Sequence, residues 1–263
     1  MIYSENNATA GSRIAMMGSA ETAGARRGAI GSGIRLRSMV NTAHHRTVAH
    51  EILMEVEGPN DFERHALAEG RDALSLEVSR RVAVVHRLLE SHLLGEGHLL
   101  FLPIKPYLPG VSHQGLGPIL DSIESCALPP DQLVLQIEEA PGHGDLERVR
   151  LLTHTFRRRG YQVAISGFGG GFNGLKELLE CPPDFVRLSA DLTSKLLVDR
   201  AQRSVVKALA GLAQDLQLPL VADGVNSAEV AGLLHSLQIV LQQGPHYGAP
   251  KALDVVIPGL GQR

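Results

Sequence analysis

The chain has 263 residues, 44% of them hydrophobic and 20% charged, which suits one large soluble domain or two small ones. A net charge of −3 argues against a general nucleic-acid binder, and 4% aromatic residues without Trp argue against a base-stacking single-strand platform. No apolar run nears the roughly 20 residues that cross a bilayer, and no charged n-region precedes an apolar h-region, so we expect a cytoplasmic protein away from membranes.

Residues 1–38 are rich in Gly, Ala and Ser, with Arg13, Arg26, Arg27, Arg35 and Arg37 against Glu5 and Glu21. Neither helical nor strand periodicity persists there, and the stretch reads as a flexible basic arm in front of a domain spanning 39–263. From Thr47 the pattern becomes alternating strands and helices. TVAHEILMEV reads as a strand, PNDFERHALAEG and LSLEVSRRVAVVHRLLESHLL as helices, HLLFLPI as an apolar run and LGPILDSIESCAL as a helix. DQLVLQIEE, YQVAIS, DFVRLS, LPLVAD and IVLQQ continue the strands. Between them fall the helices DLERVRLLTHTFRRRG, GLKELLE, AQRSVVKALAGLAQDLQ and SAEVAGLLHSLQ. Short, almost wholly apolar strands between amphipathic helices predict a mostly parallel sheet covered by helices, and about seven such units suit an α/β barrel better than an open sheet, a choice that the pattern alone does not prove.

Gly169, Gly171 and Gly174 satisfy G-x-G-x-x-G between a strand and a helix, with Asp191 downstream where a ribose-binding acid is sought. Pro182 and Pro183 cut that helix short, and the loop falls mid-chain instead of opening a nucleotide domain. Glycines serving a tight strand-to-helix turn are the preferred reading.

Several pieces in order, VLQIEEA, GYQVAISGFGGGFNGLKELL, PPDFVRLSADL, LPLVADGVNSAEV and LQQGPHYGAP, resemble the EAL domain, the bacterial fold that hydrolyses cyclic di-GMP. Glu51-Ile52-Leu53 stands in the place of the Glu-Ala-Leu signature, and the likeness covers about Thr47 to Pro250. The resemblance implies an EAL-type modified TIM (β/α)8 barrel with its site at the C-terminal ends of the strands. It also implies two divalent cations held by carboxylates and an amide, activating a water for attack on a phosphodiester.

Against that pattern Glu51 and Gln243 are retained, while Gln136 replaces a glutamate and Ser166 and Gly167 replace paired aspartates. Asp223 stands for a longer glutamate, Asn226 for a second one, and Pro103 for an asparagine. Arg187 takes the place of a lysine, and an arginine does not exchange its proton near neutrality. Too few acids then remain for two cations, so no catalytic residue, metal or cofactor is expected, and the chain reads as a non-enzyme. Glu55 replaces the arginine that contacts phosphate in binding members, which weakens the receptor reading.

The expected function is regulation in bacterial signalling through an unidentified protein partner or a second copy of the chain. The alternative is a cyclic di-GMP receptor, with the nucleotide held by Glu51, Leu53, Gln136, Arg187, Asp223 and Gln243. A metal-dependent phosphodiesterase is the remote alternative. Among other features, His44, His45 and His50, or His92 with His98, lack metal-ligand spacing and read as surface or loop histidines. Glu138 and Glu139 alternate across a strand, and Arg157–Arg159 close a helix at its negative end or form a docking patch. Cys126 and Cys181 read as reduced thiols.

Overall fold

The structure is a computed structural model and describes residues 34–54, 83–89, 97–104, 117–124, 128–137, 146–169 and 174–253. Eight strands close a barrel: β1 (Ile34–Asn41), β2 (Arg46–Met54), β3 (Leu99–Ile104), β4 (Leu133–Ile137), β5 (Gln162–Phe168), β6 (Phe185–Leu188), β7 (Leu220–Ala222) and β8 (Leu241–Gln242). Neighbours from β2 to β8 pair in parallel. β1 runs antiparallel between β2 and β8 and joins the two ends of the sheet. A two-residue β9 (Lys251–Ala252) pairs with β1 beside Arg35.

Among the described residues the bounded helices are α1 (Gly117–Glu124), α2 (Leu146–Arg158), α3 (Gly174–Glu180), α4 (Ala190–Ser194), α5 (Arg200–Asp215) and α6 (Ala228–Ser236). Their ends follow local chemistry. Asp199 caps α5 by accepting from the amides of Ala201 and Gln202, and Ser227 caps α6 by accepting from that of Val230. The inward face of α5 carries Val206, Ala210 and Ala213, spaced as a helix needs to meet a sheet.

Apolar side chains form three groups. One lies between β1–β5 and the helical residues 83–89, α1 and α2, and includes Leu88, Leu120 and Phe156. A second lies between β6–β8 and α3, α5 and α6. The third fills the barrel axis with Met39, Ala49, Phe101, Val134, Ala164 and Val221. Each strand is therefore covered on both faces, which is why LVLQI is buried at every position. The axial plug closes the barrel from below, so anything polar must sit above it.

The basic-arm expectation is corrected at its end. Residues 34–38 belong to β1, because Ile34 and Leu36 are buried in the outer core and every residue from 34 to 41 has a partner on β2. Residues 1–33 lie outside the described residues. β5 also runs further than expected, to Phe168, with its register shifted between Ile165 and Phe168 where Gly167 takes φ +80°. Gly169 takes φ +84°, and a Cβ there would collide with the side chain of Leu192, so the glycine serves a close packing turn. Asp191 is exposed in the first turn of α4, where its amide donates to Ser189, so it supplies no ribose-binding acid to that turn. Among the described residues, no helix is long and apolar enough to cross a membrane.

Candidate functional site

Strand alternation decides what faces the axis. Ala49, Phe101, Val134, Ala164 and Val221 form the plug, so residues two positions further along each strand stand one layer higher, toward the C-terminal ends. Those residues are Glu51, Pro103, Gln136, Ser166, Asp223 and, counted from half-buried Phe185, Arg187. Gln243 follows half-buried Leu241 in the same way. β1 runs the other way, so its residues two and four before Met39, Arg37 and Arg35, approach the same mouth. In register, Arg37 stands opposite Glu51 and Arg35 opposite Leu53.

Arg187 is the hub of this layer. Its side chain is 3% exposed. Nη1 donates to Glu51 Oε1 and Gln136 Oε1, while Nη2 donates to Glu51 Oε2 at 3.1 Å and to Asp223 Oδ2 at 3.2 Å. The guanidinium thus grips Glu51 through both oxygens and ties β2, β4 and β7 to β6. Gln136 completes the link by donating from Nε2 to Glu51 Oε1 at 3.3 Å. Gln243 donates to Glu51 Oε2 at 2.6 Å and to Asp223 Oδ1 at 3.3 Å. Arg37 donates from Nη1 to Asp223 Oδ1 at 3.2 Å, and Gly224 N–H donates to the same oxygen at 2.7 Å. Gln242, the neighbour of Gln243, points the other way and bonds the carbonyls of Ala231 and Ile239.

The electrostatics follow from this cage. Burial works against the charge of Glu51, but Arg187 by charge and hydrogen bond, Gln243 by hydrogen bond and Arg37 by charge together hold its carboxyl below the usual range. At an effective dielectric of about 20, one contact pair near 4 Å contributes on the order of 4 kcal/mol before desolvation. Removing either partner exposes that desolvation uncompensated.

Five of the six expected nucleotide residues, Glu51, Gln136, Arg187, Asp223 and Gln243, meet in this network. Leu53 is half-buried one step higher on β2. Pro103 pairs in register with Gln136. Ser166 is turned to the sheet, donating to the carbonyl of Ile137 at 3.2 Å. Asn226 is exposed beyond the cage. Glu55, Glu138, Glu139, His92, Gly171 and Cys126 lie outside the described residues.

Arg37 and Arg35 were hidden by their assignment to an arm. The available signal was the alternation in IRLRSM, with apolar Ile34 and Leu36 alternating with arginines that share a face with Met39. The histidines regroup as well. His50 meets the ring of His98 at 5.5 Å instead of joining His44 and His45. Of the arginine run, Arg157 pairs with Asp184 at 2.9 Å and Arg159 with Asp121 at 2.8 Å, so two of three charges serve ties within the fold.

The EAL domain profile matches residues 33–250 of this chain. The chain belongs to the EAL domain family. An "Uncharacterized signaling protein" of Caulobacter vibrioides is 25% identical to this EAL domain over 185 residues, covering 70% of this chain and 20% of that protein. "Cyclic di-GMP phosphodiesterase PdeR" of Escherichia coli is 25% identical over 151 residues, covering 57% and 21%. The solved structure "PaMucR Phosphodiesterase, c-di-GMP complex" superposes with a TM-score of 0.70 at 18% identity, over 84% of this chain and 92% of that one. The chain spans about a fifth to a third of the length of the first curated relatives it matches.

These matches overturn the expectation of a non-enzyme: the EAL relative and the superposed structure are phosphodiesterases by name. That expectation counted lost acids strand by strand as independent deletions. The retained Glu51 and Gln243 and the shorter acid Asp223 form one connected cage, so its residues cannot be scored singly.

The family's two divalent cations can be tested against this donor set. Among the described residues no group of three or more His, Cys, Asp or Glu side chains gathers as a metal site. Glu51 and Asp223, the carboxylates of the described cage, are bridged by the Arg187 guanidinium. A pair of hard cations needs anionic oxygen ligands that face it freely. The described residues do not fit such a pair.

Proposed function

We propose that this EAL domain acts in cyclic di-GMP signalling by binding cyclic di-GMP at the C-terminal mouth of its barrel. The observation that carries the reading is the placement of Arg37 and Arg187 around a buried polar layer directly above an apolar plug. A phosphodiester is an anion with several acceptor oxygens, and guanidinium groups offer planar, charge-assisted donors to it. Arg187 is committed to the cage. Arg37, a quarter exposed, reaches Asp223 through Nη1 and has four further N–H donors on its guanidinium for an incoming phosphate. Gln243 adds an amide, Leu53 an apolar wall, and Glu51, Gln136 and Asp223 hold the donors in place.

Calorimetric titration of the full chain with cyclic di-GMP, in EDTA and in Mn²⁺, tests this, with chromatography of the same samples reporting any linear product. Saturable binding is expected, weakened roughly tenfold or more by Arg37→Ala, since a charged hydrogen bond contributes about 1.5–3 kcal/mol. No binding in either buffer contradicts the proposal.

A second reading, regulation through a protein partner or a second copy of the chain, is favoured by exposed apolar side chains. Leu175 and Leu179 on α3 are 56% and 78% exposed, and Val198, after α4, is 84% exposed.

A further inference from the structure

We propose that Arg187 is the resident cation of this barrel mouth: its guanidinium holds Glu51, Gln136 and Asp223 together and keeps divalent metal ions out. Three observations carry this. The guanidinium lies between side chains of β2, of β4 and of the residue that follows β7, and engages all three. Its charge therefore stands where the acids converge.

The charge count comes next. Glu51 and Asp223 supply two negative charges, and Arg187 and Arg37 supply two positive ones at ion-pair distance. The charges of these four bonded groups cancel. A divalent ion entering it would add two positive charges beside a buried guanidinium that cannot lose its proton. A lysine in that position could yield its proton or swing aside on its flexible stem. A planar arginine bonded on both Nη atoms does neither easily.

The amide of Gln136 is the third observation. Its Oε1 accepts from Arg187 and its Nε2 donates to Glu51. The oxygen that could ligate a metal is taken, and the nitrogen presents hydrogens to the carboxylate. Rotating the amide to free its oxygen would set an N–H against the guanidinium, two donors face to face. The cage is thus wired for a cation that brings its own hydrogens.

The inference does not rest on the dinucleotide, and its test uses metal alone. Free Mn²⁺ is followed by electron paramagnetic resonance as full-length chain is added, for wild type, Glu51→Gln, Arg187→Lys, Arg187→Met, and Arg187→Met combined with Glu51→Gln. Wild type and Glu51→Gln should take up Mn²⁺ equally weakly, and Arg187→Lys more than either, because a lysine can swing aside or yield its proton. Arg187→Met, which keeps an unbranched apolar stem and removes the charged head, should gain about one bound ion, lost again when Glu51→Gln is added, because the freed carboxylates then face the cavity. Mn²⁺ uptake by wild type that Glu51→Gln abolishes would overturn the proposal. So would folded Arg187→Met that gains no ion. If Arg187→Met does not fold, wild type and Glu51→Gln decide alone: equal uptake supports the proposal, and lower uptake by Glu51→Gln overturns it.

Discussion

Glu51 is the residue on which the mouth depends, because its buried side chain accepts from Arg187, Gln136 and Gln243 through its two oxygens. Glu51→Gln leaves Arg187 buried with one anion fewer, and we expect a loss of about 3–5 kcal/mol of stability in denaturant titration, the scale for breaking a buried pair. Its pH dependence has a definite sign. The folded-state value lies below the ordinary 4.5, so the stabilising contribution is complete above 4.5 and is lost as pH falls through the lowered value. His50 is held below its ordinary 6.5 by burial first and then by His98 and Lys251, so its neutral form is favoured by folding. Stability should therefore begin to fall as pH drops below about 6.5, and fall again below about 4.5. Glu51→Gln should remove only the lower step and a His50→Gln change only the upper. At this scale Glu51, Gln136, Arg187, Asp223 and Gln243 were named through the EAL resemblance, and each stands two places beyond an apolar residue of its strand. Their mutual bonding was not legible, because a strand position gives the direction of a side chain and not which neighbour it meets.

The elements were legible where apolar runs and caps agree. α5 combines an Asp at its N-cap with an apolar face, and Asp199→Ala should cost about 1 kcal/mol in thermal or urea unfolding without changing ligand binding. β1 escaped because its two arginines make a strand look like a charged arm. A residue that turns into a barrel mouth may carry charge and still lie on a structural strand, and Ile34, Leu36 and Met39 are the buried positions that reveal it. α4, Ala190–Ser194, was equally hidden. Five residues give too few turns for a period, and its place is fixed by tertiary contacts, Leu192 against Gly169 and Thr193 bonding the carbonyl of Asp223.

For the whole molecule, barrel closure could not be read from the period of strands and helices, which an open sheet shares. It depends on one antiparallel strand that joins β2 to β8. The exposed leucines of α3 also belong to this scale. If they meet a second copy of the chain, sedimentation should show concentration-dependent association that Leu179→Glu abolishes, and a single species at all concentrations removes the self-association arm of that reading. The central claim, a phosphodiester at the mouth with Arg187 keeping its post among the acids, is tested most directly by a crystal structure of the chain with cyclic di-GMP. The account predicts a phosphate within hydrogen-bond reach of Arg37, with Arg187 still bonded to Glu51 and Asp223. Dinucleotide bound away from the mouth, or metal ions there with Arg187 displaced, would contradict it.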